Sequence, residues 1–349
     1  MGFNMYIKFS LSFIFILASF NMVIAQEPNF SKYVAIDRQV KQTPDSLTNN
    51  ILYLHHYLDS IGSNDQEKIR AFYMWIITNI EYEDQVELLF DKNILFYMGS
   101  NNCSSPVCVL KKKKAVCEGF SKLFQFFCQQ SGIEAYSIGG YISKRGAFQD
   151  RATHSWNVVK MNDEWRFFDL TWAYAILEHT GIKRTTNEFY MVSPDEFILS
   201  HLPLIPMWQF LESPVPMSVF NMGDERIKEY LTQKKPYYNY QDSLKNYNQL
   251  YPAERSLKNA HEIYLTNPSN KFNRALEYFR YARIVLNSQS SLEMKDIKEL
   301  IKARYRIKIA MILFRETQDV SSQLMFLQAQ DVLLLLENWI QVTRSKNKI

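Results

Sequence analysis

Two strand-like segments, His154 to Met161 and Glu164 to Thr171, are separated only by Asn162-Asp163, and this pair constrains the fold more than any other feature of the chain. Asn and Asp tolerate the left-handed backbone that a two-residue hairpin turn requires. With that turn, Met161 opposes Glu164 and Trp156 opposes Asp169. Side chains alternate between the two faces of a strand, so His154, Trp156 and Asp169 share a face. His154 and Asp169 then become diagonal neighbours, roughly 7–8 Å apart at the backbone and within side-chain reach. A slip of one residue would place them on opposite faces, and the alternation of Trp165 and Phe167 with Glu164, Arg166 and Phe168 does not fix the register alone.

Upstream, Cys117 begins a helical pattern. Phe120, Leu123, Phe124, Phe127 and Cys128 fall on one face, and Gly132 closes the helix. The positive end of a helix favours a thiolate over a thiol, so a cysteine in the first turn is placed for reactivity. Cys128, on the apolar face, reads as core. Lys111 to Lys114 lie just before the helix and read as a solvated charge run; added positive potential at Cys117 is the alternative. A nucleophilic cysteine needs a base, and the base an orienting group. Taken singly, such a Cys, His or Asp is more often structural; Cys117, His154 and Asp169 in this order and setting are more specific.

At 349 residues the chain is long enough for about two domains. Apolar residues make up 47% and aromatics 15%, which permits a large core, and ten glycines with eleven prolines favour helices over a turn-rich all-β fold. A net charge of +4 without a concentrated basic face speaks against nucleic acid as a partner. The four cysteines, Cys103, Cys108, Cys117 and Cys128, include no C-x-x-C pair, so a zinc site is not expected. There is no EF-hand-like loop either, and the reading needs no metal or cofactor. Cys103 and Cys108 are close enough in sequence for a local disulfide, or both are free. At the N-terminus, Lys8 precedes an apolar stretch from Phe9 to Ile24, and Val23-Ile24-Ala25 fits small-residue cleavage before Gln26. Residues 1–25 therefore read as a signal peptide, with a periplasmic or extracellular destination; an uncleaved anchor helix is the alternative.

Residues 26–50 read as an irregular lead-in. Helical periodicity runs from Thr48 to Leu58 and again from Asp65, a candidate N-cap, with Ile69, Phe72, Tyr73, Ile76, Ile77 and Ile80 forming one apolar face. Glu81 to Asp84 reads as an acidic loop, residues 85–116 as mixed with a polar turn at Gly99 to Pro106, Ile133 to Ile142 as a strand, and residues 172–220 as loops and short elements. After about Asn221 the pattern is helical throughout, best at Lys271 to Leu286, Leu292 to Phe314 and Val320 to Arg344, with a break at Asn267-Pro268-Ser269. The expected organisation is a domain at 26–220 and a helical domain at 221–349 that packs on it or binds a protein partner.

The segments Ala115-Val116-Cys117-Glu118-Gly119-Phe120, Gly139-Gly140-Tyr141, His154-Ser155-Trp156-Asn157-Val158-Val159, Trp165 and Asp169-Leu170-Thr171-Trp172 resemble the transglutaminase-like superfamily, more narrowly its microbial and cytokinesis-protein branch. The segment Asp65 to Asp84, with Trp75 and Tyr82, resembles the helix that precedes the nucleophile in that family, and Asn187 to Leu211 resembles that branch's tail, so the resemblance covers roughly residues 45–215. Ala115 departs from the glycine often found there, which bears on the turn before Cys117. The resemblance implies an α+β fold, a papain-like core whose nucleophile helix packs on an antiparallel sheet, with the all-α C-terminal region outside it. It implies acyl transfer from an amide, with Cys117 as nucleophile, His154 as base and Asp169 as orienting group. Tyr82, Trp156 and Trp172 become candidates for cleft walls or an oxyanion donor. The expected substrate is a protein or peptide, cell-wall peptide included. Hydrolysis is the simpler outcome; the alternatives are amine transfer and a non-enzymatic interaction protein that retains the fold. His55, His56, His179, His201 and His261 show no comparable partners and read as surface or structural.

Overall fold

The structure is a computed structural model that describes residues 30–83, 104–143, 150–180, 187–288 and 297–346. The apolar stretch near the N-terminus and Cys103 lie outside the described residues. Among the described residues, no helix is long and apolar enough to cross a membrane.

The lead-in is more ordered than its sequence suggests. A 3-10 turn at Phe30–Tyr33 runs into α1 (Val34–Val40), and Tyr33, Ile36 and Val40 are buried. Next come α2 (Ile51–Ile61) and α3 (Asp65–Asn79). The cap of α3 is Asn64, one residue before the expected Asp65; its side chain accepts from Glu67 N–H at 3.1 Å, while Glu67 Oε2 accepts from Ser63 N–H at 2.8 Å. Nor is α3 buried on one face alone. Every residue from Ile69 to Ile77 is buried, because α1 and α2 cover the side that the sheet and its helices leave open. That burial includes Arg70, whose guanidinium makes two bonds of 2.8 Å to Asp37 on α1 and one of 2.6 Å to Asn187.

The expected acidic loop is instead a short strand. β1 (Glu81–Tyr82) pairs in parallel with β2 (Lys114–Ala115), and Glu81 meets Lys114 at 3.0 Å. Between them, α4 (Pro106–Lys112) is capped by Ser105, with Lys113 in the left-handed region at φ 54°. β2 leads directly into α5 (Cys117–Gln130), whose apolar face is the one read from sequence; Gly132, at φ +75°, ends it.

The main sheet has five antiparallel strands. These are β3 (Ala135–Ile142), β4 (His154–Met161), β5 (Glu164–Phe168), β6 (Tyr190–Val192) and β7 (His201–Pro203), in the order β6-β5-β4-β3-β7. The β4–β5 register is the expected one, with Met161 opposite Glu164 and Asn157 opposite Phe168. Asn162 and Asp163 stand at φ 49° and 64°, as a two-residue hairpin turn demands. β5 stops at Phe168 rather than Thr171, because Asp169 caps a new helix, α6 (Leu170–Thr180). β6 and β7, in a stretch expected to be loops, complete the sheet.

α5 lies on the inner face of β3 and β4. The contact is made close by small residues: Ser121 Oγ is 2.8 Å from both Ser137 Oγ and Ser155 Oγ, and Asn157 Nδ2 donates to the Ser121 carbonyl at 2.8 Å. These bonds fix the helix along its axis relative to β4. The outer face carries Trp156, Val158, Trp165 and Phe167 beneath Phe197, Met207, Trp208 and Phe210. Gly140 makes room for this layer. A Cβ there would overlap the Leu202 carbonyl oxygen and the tip of the Trp156 ring, and would press on Pro203 Cα at 2.9 Å. Gly140→Ala should therefore lower stability by about 3 kcal/mol or more, read as a shifted urea midpoint. An unchanged midpoint would mean that β3 and β7 part easily.

After Pro203 come α7 (Met217–Phe220), α8 (Asp224–Thr232) and α9 (Tyr240–Gln249), and these continue the packing of the sheet domain. Ile227 is buried with Tyr141 and Leu202, while Leu244 and Tyr247 are buried with Trp165 and Phe167. A separate core begins with α10 (Pro252–Thr266). α10, α11 (Lys271–Ser288), α12 (Ile297–Thr317) and α13 (Val320–Lys346) pack in succession, with Ala260, Ala275, Ala282, Ala303, Ala310 and Ala329 at the crossings. Small side chains there allow close helix approach. The three longest helices fall where the sequence periodicity put them, although residues 289–296, at the expected start of the second, lie outside the described residues.

Candidate active site

Cys117 occupies the first position of α5 and is 8% exposed. Its Sγ is 3.9 Å from the Thr153 carbonyl oxygen, and its sulfur interacts with the imidazole of His154, the first residue of β4. The other side of that imidazole meets Asp169, with His154 Nε2 2.5 Å from Asp169 Oδ2. The Nδ1 of the ring is thereby left to face Cys117. The structure thus brings Cys117, His154 and Asp169 into one chain of polar contacts.

Asp169 is wholly buried and has all its acceptor sites in use. Oδ1 accepts from the backbone N–H groups of Thr171 and Trp172 at 2.9 and 3.0 Å, which caps α6. Oδ2 receives two imidazoles, His154 and, at 3.1 Å, His201 from β7. His201 is also wholly buried. Its ring stacks on Phe197 with centroids 4.1 Å apart, and its Nδ1 is 2.7 Å from Ser200 Oγ.

The two histidines are pushed in opposite directions. Burial alone disfavours a charged imidazole at His154, but the Asp169 carboxylate and the Cys117 sulfur outweigh it and raise its pKa to about 10. At His201 burial prevails over the bond to Asp169, and the pKa falls to about 4. His201 is therefore neutral at pH 7; it gives its Nε2 proton to Asp169 and accepts at Nδ1 from Ser200. Burial also opposes the charge on Asp169, yet the two imidazoles hold its carboxyl far below the usual range.

The donor atoms of His154, Asp169 and His201 lie within 4.8 Å of one another, so a metal deserves a test. Ligands about 2.0 Å from a tetrahedral ion stand about 3.3 Å apart. The 2.5 Å between His154 Nε2 and Asp169 Oδ2 is too short for two ligands on one ion and is the length of a strong hydrogen bond. The residues do not fit a metal in this arrangement.

The remaining sequence candidates divide. Trp172 is half-buried, with its ring 5.8 Å from His154 and 4.5 Å from His201, and stands as a wall of the site. Tyr82 is 41% exposed and lies against Phe120 at 6.5 Å, on the strand that pairs with the residues preceding Cys117. Trp156 does not line a cleft. It is wholly buried under the outer layer, 5.0 Å from His201 and 5.6 Å from Phe197. Sharing a face with His154 takes it into the core, because that face is covered everywhere except at the strand's first residue. Lys114 pairs with Glu81, and Lys113 Nζ lies 4.4 Å over the Trp75 ring, so these two lysines of the basic run are engaged elsewhere than at Cys117. His201 was missed because its partner is 32 residues distant and no spacing pattern announces it.

Residues 54–170 match the transglutaminase-like superfamily, a span that includes Cys117, His154 and Asp169. That segment of the chain belongs to the transglutaminase-like superfamily. The transglutaminase-like segment is 30% identical over 165 residues to a mouse protein named kyphoscoliosis peptidase, which covers 45% of this chain and 24% of that protein. The human protein of the same name is 28% identical over 184 residues, covering 50% and 25%. Hillarin of Drosophila melanogaster is 26% identical over 177 residues, covering 45% and 20%. The aligned region thus amounts to about a quarter or less of each of these relatives.

Proposed function

We propose that this chain is an exported, cysteine-dependent enzyme that opens amide bonds of protein or peptide substrates through a thioester on Cys117. The observation that carries this reading is the single imidazole held between the Cys117 thiol and the Asp169 carboxylate. With its pKa raised to about 10, His154 already carries the proton at neutral pH, and Sγ, paired with that imidazolium, attacks the amide carbon. The Cys117 backbone N–H, in the first turn of α5, faces the carbonyl oxygen as negative charge builds on it. The tetrahedral adduct collapses as His154 Nδ1 gives its proton to the departing amine, leaving a thioester. Water, deprotonated by His154, then attacks the thioester; the acid leaves and Cys117 is restored. Asp169 keeps the ring in the orientation and tautomer that present Nδ1 to sulfur. Trp172 and Tyr82 border the approach to Cys117.

Hydrolysis is preferred to amine transfer because water is present at high concentration outside a cell, and an amine must outcompete it. The name of the mouse and human relatives points the same way. Export is supported by the apolar N-terminal stretch and by Cys108, which is disulfide-bonded, a state that lasts in oxidising compartments. Cys117 is free in the same chain. The test is incubation of the full chain with glutamine-containing peptides and a labelled primary amine. Release of free acid or cleaved peptide without amine incorporation is the expected result. Amine incorporation that exceeds acid release would replace hydrolysis by cross-linking. Neither product, from any peptide offered, would leave a non-enzymatic interaction protein.

A further inference from the structure

The helical region reaches back to the site, and it does so on the segments that carry Cys117 and His154. Asn273, on α11, grips the backbone of Ala152 from both sides: Oδ1 accepts from Ala152 N–H at 2.8 Å and Nδ2 donates to the Ala152 carbonyl at 3.3 Å. The neighbouring Arg151 pairs with Asp319, before α13, through contacts of 3.1 and 2.8 Å, and lies 4.8 Å over the Phe272 ring. On β3, the Tyr141 hydroxyl accepts from the buried amides of Asn267 and Asn270 at 3.0 and 2.5 Å. Asn270 in turn caps Asn273 N–H at 3.1 Å. Arg280 stands 3.8 Å from Glu118, the residue after the nucleophile.

The geometry gives these contacts a purpose. β4 begins at His154, and the last register pair on that side is Gly140 with His154. Arg151, Ala152 and Thr153 therefore lie beyond the ladder, and the sheet does not hold them. Yet the Thr153 carbonyl faces Cys117 Sγ and the next residue is the imidazole itself. Whatever fixes Ala152 fixes the distance between sulfur and ring. A misplacement of about 1 Å at such a pair can cost about 100-fold in rate.

We propose that Asn273 is a positioning residue for the Cys117–His154 pair, so that the helical region is a working part of the active site. The inference rests on the reading of Cys117 as nucleophile, and its test keeps the two apart. In the full chain, the rate of Cys117 modification by iodoacetamide is followed from pH 5 to pH 10. At pH 6 the parent should be modified faster than free cysteine under the same conditions. Asn273→Ala should slow modification at pH 6 by about 10-fold or more, toward the rate of free cysteine, and change the pH profile accordingly. Asp319 Oδ1 accepts from Ser322 N–H at 3.1 Å, at the start of α13; Asp319→Asn, which can keep that bond but weakens the hold on Arg151, should move the profile the same way by less and covers the case in which Asn273→Ala does not fold. Lys308→Ala, which breaks the Lys308–Glu337 pair between α12 and α13, should leave the profile in place. A folded Asn273→Ala or Asp319→Asn whose profile superimposes on the parent's overturns the proposal. A parent with an ordinary thiol's profile removes the nucleophile reading itself, and the proposal falls with it.

Discussion

Asp169→Asn should reduce turnover by roughly 10⁴-fold while the chain stays folded, and Asp169→Ala should cost the fold as well. The two substitutions separate the two tasks of this carboxylate. An asparagine Oδ1 still accepts from Thr171 and Trp172 N–H, so α6 keeps its cap. Its Nδ2, however, presents hydrogens to the ring nitrogens of His154 and His201, where Oδ2 had accepted from both. His154 must then turn its protonated nitrogen elsewhere, and the tautomer that presents Nδ1 to Cys117 is lost. Its pKa should fall well below about 10, since burial is then opposed by the Cys117 sulfur alone. Alanine removes the cap too and strands buried polar groups, for a loss of about 3–5 kcal/mol. The linkage has a definite sign. Because the folded His154 pKa lies above the ordinary 6.5, its contribution to stability is fully present below pH 6.5 and lost as pH rises through about 10. Histidine titration by NMR and urea unfolding at pH 6 and pH 10 check these expectations. A His154 that titrates unchanged in Asp169→Asn would contradict the assignment.

Cys117→Ala should abolish turnover, by roughly 10⁶-fold or to background, with the urea midpoint nearly unchanged. The side chain is small and lies at a helix start, so its removal leaves little void. Among the described cysteines it should also be the residue that iodoacetamide labels, since Cys108 is disulfide-bonded and Cys128 is wholly buried with its thiol pushed up by that burial. Parent turnover should fall on the alkaline side near pH 10, where His154 loses the proton it must give to the leaving amine. Mass spectrometry of the labelled peptide and a pH–rate profile check both points. Turnover retained in Cys117→Ala would place the chemistry elsewhere.

Much of this site could be read from the chain because its parts lie on local structure. A two-residue turn dictates which residues oppose each other, and that alone brought Asp169 beneath His154. The helix at Cys117 was visible in the three- and four-residue spacing of its phenylalanines. What remained hidden depends on contacts between distant segments. His201 sits 32 residues from Asp169 on a three-residue strand, too short for alternation to register. Trp156 was placed on the right face, but the layer that buries it comes from Phe197, Met207 and Trp208, far along the chain. The strand expected to reach Thr171 ends early because the Asp169 carboxylate satisfies a helix terminus, a choice that β-propensity does not reveal. The ordered segment from Phe30 to Val40 was read as irregular since its seven-residue helix is too brief to show a period.

That early segment bears on where the folding unit begins. Likeness to the superfamily starts at residue 54, yet Tyr33, Ile36 and Val40 fill the same interior as α3 and α5. Asp37 is the counter-charge for the guanidinium of Arg70, which is only 3% exposed. A fragment excised at the upstream edge of the family likeness would carry a cation in its apolar interior with its carboxylate partner cut away. The smallest piece able to stand alone is therefore set by electrostatics, and it starts upstream of where ancestry becomes visible.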